Sequence, residues 1–241
     1  MILLPFSIAI APAPMNVFIG LLIGAFLAKK LLRREWLFSK DPVNLPLLFL
    51  FLIICLSAVN SVSLKDTVKG GIFRWLQYIF IFYIFAQELK DKKHLRKVVF
   101  SICLGAALAS FNGIFQVISG RDFIRGYQPI LNIGLLRATA SFKDANILGI
   151  YLSALAPLII GLTLYYYRGM KKFTAALISL LALIGIALTY SRPTLLAMYI
   201  VFFFFAFVRK NRWLIVLLIA FAVSAPFILP KSVKEWARQV E

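Results

Sequence analysis

Histidine is almost missing from this sequence, which has one, and acidic side chains are scarce, with 9 Asp and Glu set against 27 Lys and Arg. The single imidazole, His94, lies among Lys92, Lys93 and Arg96 and reads as a solvated loop residue rather than a catalytic base. Cysteine is equally thin. Cys55 and Cys103 sit in the middle of apolar runs, where a thiol behaves as a small hydrophobe, and no group of residues has the spacing of a metal site. No metal and no cofactor is therefore expected. The N-terminal stretch also lacks the positive start of a secretory signal, so it reads as a retained membrane segment whose Pro5, Pro12 and Pro14 break or kink its first half.

What the chain has in abundance is apolar surface. Hydrophobic residues make up 62% of 241, charged residues 15%, and the mean hydropathy is +0.90, a balance outside the range of soluble globular domains. The expected fold is all-α: a polytopic transmembrane helical protein forming one transmembrane domain over residues 1–241. About 20 apolar residues cross a bilayer as a helix. That ruler gives about eight spans, over 6–28, 43–62, 71–87, 98–118, 145–167, 173–190, 193–208 and 213–229. Backbone groups in lipid must be satisfied within the segment, and no stretch shows the alternation of a barrel strand, so every span is predicted helical.

A net charge of +18 would suggest nucleic acid in a soluble protein. Here the basic residues fall in short clusters between apolar runs, which marks cytoplasmic loops instead, and no nucleic-acid partner is expected. The clusters are Lys29, Lys30, Arg33, Arg34 and Lys40; Lys90, Lys92, Lys93, Arg96 and Lys97; Arg168, Lys171 and Lys172; Arg209, Lys210 and Arg212. Placing these inside puts 60–74, 119–143, Arg192 and the chain after Leu229 outside. Those outer stretches keep more Lys and Arg than topology explains, against Asp66, Asp122, Asp144, Glu235 and Glu241, so something anionic is expected on that face.

Two polar islands interrupt the apolar pattern there. Leu135 to Tyr151 carries Arg137, Lys143, Asp144 and Asn146, and Thr189 to Thr194 separates two apolar runs with Ser191, Arg192 and Pro193. Ionisable groups at a membrane edge are costly unless they have partners or work to do. Segments five and six form an antiparallel hairpin, so Arg137 and Arg192 are predicted at one membrane level, where guanidinium forks could hold phosphate. Asp144 or Asn146 could equally just cap a helix, and Ser191 with Pro193 could end one helix and begin the next.

These islands resemble the O-antigen ligase and O-antigen polymerase superfamily of bacterial membrane glycosyltransferases. That family carries an external Arg-x-x-Gly-x-Phe followed by Pro-Asn at a helix start, and later a Ser-Arg pair at the outer end of a helix. Arg137, Phe142 and Asn146 fall on the first pattern, with Ser141 where glycine is usual and Ala145 where proline is, while Ser191 and Arg192 fall on the second. The resemblance covers residues 98–215. It implies transfer of a glycan from a polyprenyl-diphosphate carrier to an acceptor glycan or glycolipid at the outer face of the bacterial inner membrane. Arg137 and Arg192 would bind the diphosphate, supported by Phe142, Asn146 and Ser191. The family's acceptor-activating histidine has no counterpart here, so the chain is expected to be the N-terminal part of a larger membrane domain, inactive in transfer without the rest. A transporter or flippase for an anionic lipid-linked sugar is the alternative reading, as is a non-catalytic membrane subunit.

Overall fold

The computed structural model describes residues 2–34, 42–89, 91–132, 134–210 and, between 212 and 220, all but 214 and 217. Lys40, Lys90, the tail from Pro230 and most of the predicted segment 213–229 lie outside the described residues. Contacts divide the chain into two compact units with the boundary inside one long helix, near Ser101.

In the first unit a five-residue α1 (Leu4–Ile8) is followed by α2 (Pro12–Arg33). The break falls where the prolines predict it, and Pro12 and Pro14 stand in the first turn of α2, where the missing N–H costs nothing. Helix α3 (Asn44–Ser57) has only 14 residues. The next apolar segment starts as α4 (Leu64–Asp66), capped by the Ser63 hydroxyl, passes through a π-helical stretch (Thr67–Ile72) and continues as α5 (Phe73–Glu88). Lys29 on α2 and Glu88 on α5 pair at 2.6 Å, and the Tyr83 hydroxyl donates to Asn44.

Helix α6 (Lys92–Ser119) starts six residues before the predicted 98 and contains the whole Lys92–Lys97 cluster that the sequence suggests as loop. The reason is local. Asp91 accepts the Lys93 backbone N–H at 3.0 Å, and a capped first turn needs no apolar residues. His94, exposed and 3.1 Å from Asp91, is thus a helix residue and not a loop residue.

The second unit takes Ala9–Ala11 and the rest of α6 and, among the described residues up to 210, a two-stranded hairpin and three further helices. Strands β1 (Ile130–Asn132) and β2 (Leu135–Arg137) pair antiparallel, Ile130 opposite Arg137, a small addition to the all-α expectation. Helix α7 (Ala145–Gly161) runs through Pro157 into a π-helical turn (Leu162–Tyr166), then come α8 (Gly169–Thr189) and α9 (Arg192–Val208).

Helices α7 and α8 are the most closely associated pair, and their sequences show why. Lipid offers no hydrophobic driving force between helices, so close approach depends on small residues. The buried stripe on α8 is Ala175, Ser179, Ala182, Gly185, Ile186 and Thr189, set against Leu148, Leu152, Ala156 and Ile159 of α7. A Cβ on Gly185 would sit 2.9 Å from a Leu152 methyl, and one on Gly149 would sit 2.6 Å from the Thr194 hydroxyl of α9. These two glycines set the spacing of the three helices.

Four helical segments are long and apolar enough to cross a bilayer: Pro12–Arg33, Lys92–Ser119, Ala145–Tyr166 and Gly169–Thr189. Asn44–Ser57 and Arg192–Val208 are apolar but shorter, and the Leu64–Glu88 segment carries charge within its first half. Among the described residues, then, four of the eight predicted spans are long and apolar enough to cross a bilayer by themselves, and the others are shorter, because polar turns and caps end those helices early, or carry charge. The chain is a helical membrane protein.

Candidate functional site

The site starts from a break. Helix α8 ends at Tyr190, whose φ of 47° is left-handed, and α9 begins two residues on with Ser191 extended at its N-cap and Pro193 in its first turn. So sharp a stop leaves the last carbonyls of α8 without helical partners. They are taken by the strand that precedes α7. The Ala138 N–H donates to Leu188 O at 2.8 Å, and Arg137 Nε donates to Thr189 O at 3.0 Å.

Arg137 is only 7% exposed. Its Nη2 donates to Asn146 Oδ1 at 2.9 Å, so the guanidinium bridges the C-terminus of α8 and the first turn of α7. Carbonyl ends of a helix carry partial negative charge, which offsets part of the cost of burying a cation there. Arg192 starts α9 three residues beyond Thr189 and is half-buried. The structure thus anchors both sequence-predicted arginines to one feature, the α8–α9 break. Ser191 is buried and accepts a hydrogen bond from the Thr194 hydroxyl at 2.9 Å.

The two capping candidates separate cleanly. Asp144 is the cap, its Oδ1 accepting the Asn146 N–H at 2.6 Å, while the Asn146 side chain serves Arg137. Phe142 donates its N–H to Thr139 O and lays its ring 5.3 Å from that of Tyr151. Lys143 is exposed and takes no part in this cluster.

Sequence reasoning missed the residues that hold this arrangement in place. Asn112 and Gln116 lie one turn apart on α6, both fully buried. Gln116 Oε1 accepts the N–H groups of Thr139 and Ala140 at 2.7 and 2.8 Å, and its Nε2 donates to Tyr127 O and Thr139 Oγ1 at 3.0 and 2.8 Å. Asn112 donates to Ser141 Oγ at 2.9 Å and Asp122 Oδ1 at 3.2 Å, and accepts from the Phe123 N–H. Asp122 also receives the N–H groups of Ile124, Arg125 and Tyr127. Arg125 stacks on Tyr127 at 4.4 Å and reaches Ser141 O, while Phe123 covers Phe111 and Phe115 of α6. Two amides four apart in an otherwise apolar helix were the available signal, because buried amides need partners.

Ala140, fourth in the run from Arg137, has φ +49°, a region that favours glycine. Replacing it with glycine is expected to stabilise the fold by up to about 1 kcal/mol, since a left-handed alanine costs roughly that much. The Ala140 methyl is fully buried, and its loss offsets part of this gain. Chemical unfolding in mixed micelles would measure it, and a loss above about 1 kcal/mol would show that the methyl outweighs the backbone strain.

No protein-family model, curated protein or solved structure matches this chain. The arrangement itself defines the class: a membrane protein with an arginine built into a helix break, held by an ordered polar loop. In chemical terms it presents fixed positive charge beside the N-termini of α7 and α9, which approach each other at Gly149 and Thr194. Both helix ends favour an anion.

Proposed function

We propose that this site grips the diphosphate of a polyprenyl-linked glycan and serves its transfer to an acceptor sugar at the outer face of a bacterial cytoplasmic membrane, within an eight-span arrangement. The observation that carries the reading is Arg137, buried and clamped between Thr189 O and Asn146 Oδ1 at the same helix break from which Arg192 emerges. Fixed guanidinium groups stabilise negative charge as a diphosphate departs, without reorganising during the reaction. Ala140 adds support: counted from Arg137, it and not Ser141 occupies the glycine position of the Arg-x-x-Gly-x-Phe pattern, and its backbone is glycine-like.

The chemistry of this site is stabilisation rather than proton removal. Asp122 has its oxygens engaged by four donors, and Asp144 spends an oxygen on capping α7. Neither is disposed to act as a general base. The test is binding of undecaprenyl diphosphate by the purified chain in detergent, with undecaprenol as the uncharged control. Wild type should prefer the diphosphate, and Arg192→Lys should lose at least roughly tenfold in affinity because a point charge replaces a bidentate fork. Equal binding of both lipids by wild type would overturn the proposal.

A further inference from the structure

At the other end of the second unit lies a surface that the diphosphate reading does not use. Helix α8, 21 residues long, spans roughly 31 Å at 1.5 Å per residue, close to the thickness of a bilayer core. With its C-terminus at the Arg137 cluster, its N-terminus at Gly169 stands about one membrane thickness away. Helices α7 and α9 run the opposite way, so the end of α7, the start of α8 and the end of α9 meet there.

Arg209, the residue that ends α9, documents the meeting. Its guanidinium stacks over the Tyr165 ring at 4.2 Å, and its Nε donates to the Tyr165 hydroxyl at 2.7 Å. Around this pair Arg168, Lys171, Lys172 and Lys210 are all exposed. None of these four takes a carboxylate partner among the described residues. Nor can one come from nearby sequence, because no Asp or Glu occurs between Asp144 and Glu235. The aromatic side chains beside them, Tyr165 and Tyr166, are more than half exposed, as suits the level where acyl chains give way to headgroups.

We infer that this end is a binding site for anionic phospholipid headgroups of the adjoining leaflet. Five basic groups, drawn from the α7–α8 turn, the first turn of α8 and the end of α9, form the positive face, and the stacked Arg209 holds α9 against the α7–α8 turn so that they share it. Phosphate oxygens accept from the lysine and arginine heads while the aliphatic stems and tyrosine rings cover the upper acyl chain. A lipid is the occupant because the surface sits where the apolar helices end, at the depth of the headgroups. The inference is independent of what the Arg137 end binds.

Native mass spectrometry of the full chain tests it, with phosphatidylglycerol and phosphatidylcholine of identical acyl chains as probes. Wild type should retain phosphatidylglycerol with roughly tenfold preference or more, given the strength of attraction per basic residue near an anionic surface. The triple variant Lys171→Gln, Lys172→Gln, Lys210→Gln changes only exposed side chains and should bring the preference near parity. Lys65→Gln with Lys69→Gln, in the first unit, should leave it unchanged. Equal retention of the two lipids by wild type, or an undiminished preference in the triple variant, would overturn the assignment.

Discussion

Replacing Arg137 with alanine is expected to cost about 3 kcal/mol of stability and to abolish diphosphate binding. The stability loss follows from what the guanidinium satisfies. Without it, Thr189 O loses its donor in a buried setting and Asn146 Oδ1 in a half-buried one, at roughly 1–3 kcal/mol each when left unpaired. Part returns as the cost of burying a cation disappears, which keeps the net in the lower half of the roughly 2–6 kcal/mol that two orphans sum to. Arg137→Lys separates anchoring from ligand binding. Its ammonium keeps the charge but lacks the planar fork that reaches both acceptors, so about 1–2 kcal/mol should be lost, with binding weakened by roughly a hundredfold. Unfolding in mixed micelles gives the first quantity and lipid titration the second. A lysine variant that binds diphosphate as wild type does would assign Arg137 to loop anchoring alone.

Gln116→Leu should be nearly as damaging, although Gln116 lies on a different helix and far from Arg137 in sequence. The leucine fits the space but strands the buried N–H groups of Thr139 and Ala140 and takes the donor from the buried Thr139 hydroxyl, while the Tyr127 carbonyl keeps only the Asp122 N–H. At roughly 1 kcal/mol or more per buried orphan, the loss should reach about 3–4 kcal/mol. The damage should be local. The residues released adjoin Arg137, so the 120–144 loop should become a protease substrate and its amides should exchange faster, while α7 and α8 retain protection. Gln116→Glu is the sharper probe. A carboxylate still accepts from Thr139 and Ala140 but cannot donate to Tyr127 O, so the loop should hold on one side only. Unchanged exchange of the Thr139 and Ala140 amides in the leucine variant would show that the loop docks without this residue.

Much of this architecture was legible before any coordinates. The prolines announced the break ahead of α2, the hydropathy located the four helices that are long and apolar enough to cross a membrane among the described residues, and Asp144 could be read as a cap. Those features are local: a missing N–H, a run of apolar side chains or a carboxylate two residues from an amide acts on its own neighbourhood. The Arg137 and Arg192 islands were visible for a related reason, since charge at the end of an apolar run is conspicuous.

The sequence misjudged where helices end. Apolarity continues to 62 in the second predicted segment, but the helix stops at Ser57, and α6 begins among lysines that hydropathy assigns to a loop. Hydropathy measures the cost of being in lipid, whereas a helix ends where its backbone groups find other partners. By itself, then, the sequence determined that this is a helical membrane protein with arginines flanking an apolar hairpin. Only the tertiary structure decided what those arginines do locally. Arg137 is held by the carbonyl of Thr189, 52 residues away, and Gln116 grips a loop 23 and 24 residues on. No spacing rule links such positions. The α8 carbonyls lack partners because the chain turns at Tyr190, and the groups that satisfy them are whichever the packing of β2 and α7 brings near.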